Sequence, residues 1–163
     1  APVYAPASLF GPGVSPWTGK EEFFQGIELA APAGSPVIAS GGGTVLFAGR
    51  IRPSPGRWLW RLGNLVVLSH GEQGATLYGH LSRIDARRGQ RVRRGEVLGR
   101  VGSTGWAMSP QLHYEFWRSD GASLRPTDPL FAILDRRIEP RPVSLGRMLG
   151  TSAPGPIEPL PGL

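Results

Sequence analysis

The chain contains no cysteine, a single lysine (Lys20) and no apolar run long enough to cross a membrane. Without cysteine there is no disulfide framework, so the fold must rest on its packed core. A transmembrane helix needs about 20 predominantly apolar residues, and none is offered. No charged-then-apolar leader opens the sequence either. Segments of long helical period are also missing, which argues against a helical bundle. The scarcity of lysine is not a scarcity of positive charge: 17 arginines face 12 acidic residues, for a net charge of +6.

What is present is a pattern of short strands. The chain has 163 residues and 40% hydrophobic content, enough for one sizeable core and too little for two domains. Its 24 glycines and 17 prolines approach low-complexity composition, but between Gly26 and Phe116 the glycines punctuate runs rich in Val, Leu, Ile and aromatics. Such spacing predicts turns between strands. Strands are expected at Pro36–Ser40, Gly43–Ala48, Leu65–Ser69, Thr76–His80, Arg91–Val92, Glu96–Val101 and Leu112–Arg118, giving a mainly antiparallel β class. The expected organisation is a flexible N-terminal segment over 1–8, a domain over 9–135 and a Pro/Gly-rich C-terminal extension over 136–163. A start at Ala1 reads as a chain trimmed of any export or anchor segment.

The most informative stretch is Gln111-Leu112-His113. Residues i and i+2 of a strand share a face, so a His-x-His pair there would set a metal ligand beside a catalytic imidazole. In this chain the first histidine is replaced by an amide, which takes up no proton near neutral pH and is a rare zinc ligand. Around it lie Phe10-Gly11, Gly26-Ile27-Glu28-Leu29-Ala30-Ala31-Pro32-Ala33-Gly34-Ser35-Pro36-Val37, Gly43-Thr44-Val45, Ser69-His70-Gly71 and Tyr78-Gly79-His80-Leu81-Ser82. Gly89-Gln90-Arg91-Val92, Gly95-Glu96-Val97-Leu98-Gly99 and Gly102-Ser103-Thr104-Gly105 complete the series. In this order and spacing the chain resembles the M23 (lysostaphin-like, LytM) peptidoglycan endopeptidase family from about Leu9 to Phe131. The resemblance implies a lysostaphin-type antiparallel β-sheet domain with a groove flanked by loops.

It also implies a zinc site, and the site is where this chain departs from the family. The family holds one zinc with the His and Asp of a His-x-Gly-x-Asp segment and the second His of His-x-His, with two further histidines assisting a metal-bound water. Carried over by position, the first ligand falls on Phe24, the second on Glu28 and the third on His113, while the assisting histidines fall on His80 and Gln111. Phe24 has no lone pair to offer a metal. A catalytic zinc needs three protein ligands and an open position for water, and Glu28 with His113 supplies two. The expectation is a vestigial site with no cofactor. Glu22, two residues before Phe24, is the conceivable substitute ligand; its alternative reading, with Glu21, is a solvated turn charge.

Other residues carry two readings each. Glu115 shares the face of His113 and either orients it or is a simple exposed charge. Trp58 and Trp60, two apart, would share one strand face, bordering the groove or filling the core. His70 reads as structural or surface. The arginines at 87, 88, 91, 93 and 94 lack interleaved aromatics and any nucleic-acid motif, which argues against nucleic acid; they read as solvated surface or as attraction to an anionic envelope or acidic partner. The expected function is a non-catalytic LytM-like regulator or binding module in bacterial cell-wall remodelling. Its groove (Phe24, Glu28, Trp58, Trp60, His80, Gln111, His113) would bind a cell-wall hydrolase, another envelope protein or peptidoglycan. The resemblance implies an extracytoplasmic location in the periplasm or cell envelope. The alternative is an active zinc endopeptidase cleaving peptidoglycan cross-link peptides.

Overall fold

Period-two alternation sorts the side chains of this chain onto two faces, and the faces decide the architecture. The computed structural model describes residues 6–53 and 58–130. Among them run β1 (Pro6–Ser8), β2 (Gly11–Val14), β3 (Glu21–Phe24), β4 (Ile27–Ala30), β5 (Pro36–Ile38), β6 (Gly43–Arg50), β7 (Asn64–Ser69) and β8 (Gly74–Gly79). β9 (Arg83–Ile84), β10 (Arg91–Val92), β11 (Val97–Arg100), β12 (Gln111–Ser119) and β13 (Leu124–Thr127) follow. Eight strands form a sheet in the order β1-β4-β12-β8-β7-β6-β10, with β13 continuing the β4 side of β12. A smaller sheet runs β5-β11-β9, and β2 pairs with β3. The pairings are antiparallel, so the expected mainly β, lysostaphin-type class holds.

One face of the large sheet carries Ile27, Val66, Leu68, Tyr78 and Tyr114, which pack with Val37 and Leu98 of the small sheet in one buried core. The opposite face carries Leu65, Leu77 and Trp117, covered by Leu59 and Leu62 of a 3-10 turn, Leu59–Leu62. That second face holds the functional side chains. β12 is paired on both edges, by β8 on one and by β4 and β13 on the other. Its residues Gln111, His113, Glu115 and Trp117 therefore stand in a row above a fixed floor.

Each expected strand is present, with ends shifted by a residue or two. Four features differ from the sequence reading. Pro6–Ser8 pair with β4 and are a sheet edge, where a flexible segment was expected, because β4 has a free edge to offer them. β2 and β3 form a hairpin over a stretch whose Gly-Pro-Gly-Val and Glu-Glu-Phe-Phe sequences show no alternation. β13 extends the large sheet beyond the last expected strand. Trp58 and Trp60 lie on a 3-10 turn, where residues two apart diverge, and do not share a strand face. The expected extension over 136–163 lies outside the described residues. No described helix is long and apolar enough to cross a membrane.

Candidate functional site

Pairing register brings the site together. Glu28 of β4 and His113 of β12 are direct cross-strand partners, and Gly79 of β8 is the partner of His113 on its other side. Two glycines make room for this approach: a Cβ on Gly26 would meet the Glu115 side chain at 2.6 Å, and one on Gly79 would stand 3.2 Å from the Cβ of His113.

His113 sits between two carboxylates. Its Nδ1 is 2.6 Å from Glu28 Oε1 and its Nε2 is 2.7 Å from Glu115 Oε1. Glu115 is fully buried, and its other oxygen accepts a hydrogen bond from Trp117 Nε1 at 2.5 Å. The exposed-charge reading of Glu115 is thereby overturned, because alternation along β12 points it inward beside His113. Carboxylate oxygens on both sides favour the doubly protonated ring, in which each nitrogen donates. Burial pushes the His113 pKa down, but the Glu28 charge and the hydrogen bonds to Glu115 and Glu28 overcome it and raise the value to about 10. Burial likewise pushes Glu28 up, and the His113 charge and hydrogen bond, aided by His80, bring it down to about 2.

His80 completes the group from the end of β8. Its backbone is left-handed, with φ 62°, an uncommon state for a residue with a side chain. Its amide donates to Leu62 O at 2.6 Å and its Nδ1–H to Thr104 O at 2.7 Å. Its Nε2 faces Glu28 Oε1 at 3.6 Å. Glu28, His80 and His113 each place one donor atom within 4.8 Å of the others, so three groups converge where the sequence spacing counted two ligands. Glu28 Oε2 is buried without a hydrogen-bond partner.

A cavity of about 600 Å³ opens over this cluster. Phe24, Glu28, Trp58, His80, Gln111 and His113 all line it; Trp60 does not. Phe24 is half-buried, its ring lying against Gly13 across the β2–β3 hairpin. Gln111 forms the floor beside it, with no side-chain hydrogen bond among the described residues. Glu22 also lines the cavity but stands outside the three-donor group, accepting from Thr18 Oγ1 at 2.9 Å and facing Arg61 Nη1 at 3.8 Å. His70 is elsewhere, buried between Gly42 O and Thr76 Oγ1 as a structural residue, with burial lowering its pKa.

Sequence reasoning missed the wall of the cavity. The Trp106 ring packs against Trp17 at 5.5 Å and Trp60 at 5.4 Å, and the Arg61 guanidinium lies 4.2 Å from its centroid. Trp106 N–H donates to Arg61 O at 2.7 Å, tying the loop after β11 to the 3-10 turn. These residues come from three separated segments, and no local pattern links them.

Comparison with known proteins shows to which family this chain is similar. The sequence profile described as Peptidase family M23 matches residues 22–126. The chain is similar to the cell division protein DipM of Caulobacter vibrioides, 36% identical over 110 residues that cover 66% of this chain and 17% of DipM. It is also similar to the DD-carboxypeptidase/endopeptidase Mpg of Neisseria meningitidis, 41% identical over 120 residues, 74% of this chain and 26% of that protein. This chain therefore matches only about a quarter or less of those relatives' length. Among solved structures, the catalytic domain of lysostaphin from Staphylococcus simulans matches with TM-score 0.67 and 23% identity, over 81% of this chain and 93% of that one, a likeness of fold.

Proposed function

The chain belongs to peptidase family M23, and from that premise we propose that it is a non-catalytic LytM-like domain acting in bacterial cell-wall remodelling in the cell envelope. In this reading its cavity is a binding surface for a cell-wall hydrolase, another envelope protein or peptidoglycan. The observation that carries the reading is the 2.6 Å hydrogen bond between Glu28 Oε1 and His113 Nδ1. Tetrahedral zinc ligated at about 2.0–2.1 Å holds its donor atoms well over 3 Å apart, farther than these two atoms lie. Phe24, the residue carried over by position to the family's first ligand, lines the cavity and offers no lone pair to a metal. With Phe24 and Gln111 at two of the five positions, the residues present do not fit a catalytic zinc.

What the site retains suits recognition. The cavity combines aromatic walls with a few converging polar groups, the usual make-up of a ligand pocket. Trp17 and Phe23 are about half exposed at its mouth, and aromatic and arginine side chains are the types that most often dominate interface energies. The names of two relatives, a cell division protein and a DD-carboxypeptidase/endopeptidase, support an envelope role.

The competing reading is an active zinc endopeptidase. It is favoured by the convergence of Glu28, His80 and His113 and by the unpartnered Glu28 Oε2. One experiment separates the two. The parent should release no fragments from purified peptidoglycan with zinc added, while Phe24→His, Glu28→Asp and Gln111→His made together should gain metal binding. Single restorations should do little, since a site and its base act as a unit. Turnover by the parent that depends on His80 and is abolished by chelator would reject the non-catalytic reading. A Gln111→Arg variant that still captures peptidoglycan or an envelope partner as well as the parent would reject the cavity as the binding surface.

A further inference from the structure

Away from the cavity, residues 83–100 hold seven arginines against two acids, nearly the whole net charge of the chain. Both acids are engaged. Asp85 accepts from Arg83 at 2.7 Å and faces Arg100 at 3.8 Å. Glu96 accepts from Gln90 Nε2 at 3.1 Å and from the Arg93 amide at 2.9 Å. Arg87, Arg88, Arg91, Arg93 and Arg94 are exposed and form no ion pair among the described residues.

These arginines are displayed on a structure built twice. Arg87-Arg88-Gly89-Gln90 and Arg93-Arg94-Gly95-Glu96 flank β10 and repeat one turn. Gly89 has φ 83° and Gly95 has φ 84°, a region that favours glycine. Gln90 N donates to Arg87 O and Glu96 N to Arg93 O, both at 3.0 Å. Each turn is anchored to the backbone beside it: Gly89 N donates to Val45 O of β6 and Gly95 N to Ala39 O, just after β5, both at 2.8 Å. The Gln90–Glu96 hydrogen bond then joins the two turns. The arginine backbones are thus fixed before any partner arrives.

Beside the second turn lies an exposed apolar pair. Ile38 of β5 and Val97 of β11 are cross-strand partners, so their side chains share a face, and they are 51% and 38% exposed. Ile38 precedes the residue that anchors Gly95, and Val97 follows Glu96 directly, so the pair adjoins the arginine turns. Exposed apolar side chains bordered by arginines match the layered chemistry of a bilayer surface, with acyl boundary beneath anionic phosphodiester headgroups. Guanidinium groups bind phosphate in a bidentate manner and suit this partner better than lysines would. Nucleic acid fits less well, because residues 83–100 contain no aromatic on which a base could stack.

We propose that the twin arginine turns, with Ile38 and Val97, form a docking face for an anionic phospholipid membrane, separate from the cavity. The test is co-sedimentation of the full chain with vesicles of phosphatidylcholine mixed with phosphatidylglycerol, against vesicles of phosphatidylcholine alone. Binding is expected to the mixed vesicles only and to weaken as salt is added. Arg88→Ser with Arg94→Ser should lower the affinity about thirtyfold, at roughly 1 kcal/mol per arginine near the surface, with an unchanged thermal unfolding profile. Ile38→Ser, on a different strand, should lower the fraction that stays bound at high salt. Equal binding of the parent to both vesicle types would overturn the proposal. So would parent-like binding by the arginine variant, or tighter binding to a DNA duplex or an acidic polypeptide than to the mixed vesicles at equal ionic strength. None of these results touches the cavity, so failure here is distinguishable from failure of the proposed function.

Discussion

His113 is the residue on which the interior of the site depends. It is the cation between two buried or half-buried carboxylates, at 2.6 and 2.7 Å. His113→Ala leaves Glu28 and Glu115 facing each other without it, and should destabilise the protein by about 3–5 kcal/mol, the cost of breaking a buried ion pair. Glu115→Gln should cost less, because the ring keeps Glu28 and the amide oxygen still accepts one of the two hydrogen bonds while its NH2 faces the other donor; urea unfolding of the two variants checks the order. The pH dependence follows from the same pair. Glu28 is held down at about 2 from 4.5, so its contribution is complete above pH 4.5 and is lost as pH falls towards 2. His113 is raised to about 10 from 6.5, so its contribution is complete below pH 6.5 and is lost as pH rises through 10. These are two ends of one interaction, which should place the plateau of the urea midpoint between about pH 4.5 and 6.5. Unfolding of His113→Ala should lack the alkaline decline. The replacements at Phe24 and Gln111 are legible in the sequence because they interrupt a known spacing. The inward aim of Glu115 was legible only as one of two options, since alternation gives a face and burial decides which face is inside.

At the scale of elements, β12 and the 3-10 turn set the cavity. A Cβ on Gly105, whose φ is 75°, would strike the Arg61 carbonyl oxygen, and one on Gly63 would strike Thr104. These close approaches lock the Trp106 loop onto the turn that carries Trp58 and Arg61. Gly105→Ala should therefore destabilise the fold by about 1–3 kcal/mol through strain and displacement. It should also weaken any cavity ligand while leaving vesicle binding at the arginine turns unchanged, which thermal unfolding and the two binding assays would read separately. Strands punctuated by glycine, such as β6, β7 and β8, could be read from the sequence because each has apolar residues facing a core. The β2–β3 hairpin could not, since half of its strand residues, Val14, Glu22, Phe23 and Phe24, line a cavity and none is packed in a core. The Trp58–Leu62 segment misled because a short apolar run with aromatics two apart is compatible with a strand until tertiary packing selects a tighter turn.

On the scale of the whole molecule, one scaffold presents two unlike surfaces: an aromatic-walled cavity over an ion-paired floor, and a cationic turn platform in another part of the fold. Ordered glycine landmarks made the scaffold readable, whereas Trp17, Arg61 and Trp106 meet only after folding, from positions far apart in the chain. The central claim is that a proton and not a zinc joins Glu28 to His113. Elemental analysis of protein purified without chelator tests it most directly. The account predicts zinc far below one per chain, unchanged in His113→Ala; close to one zinc per chain, lost in that variant, would contradict it.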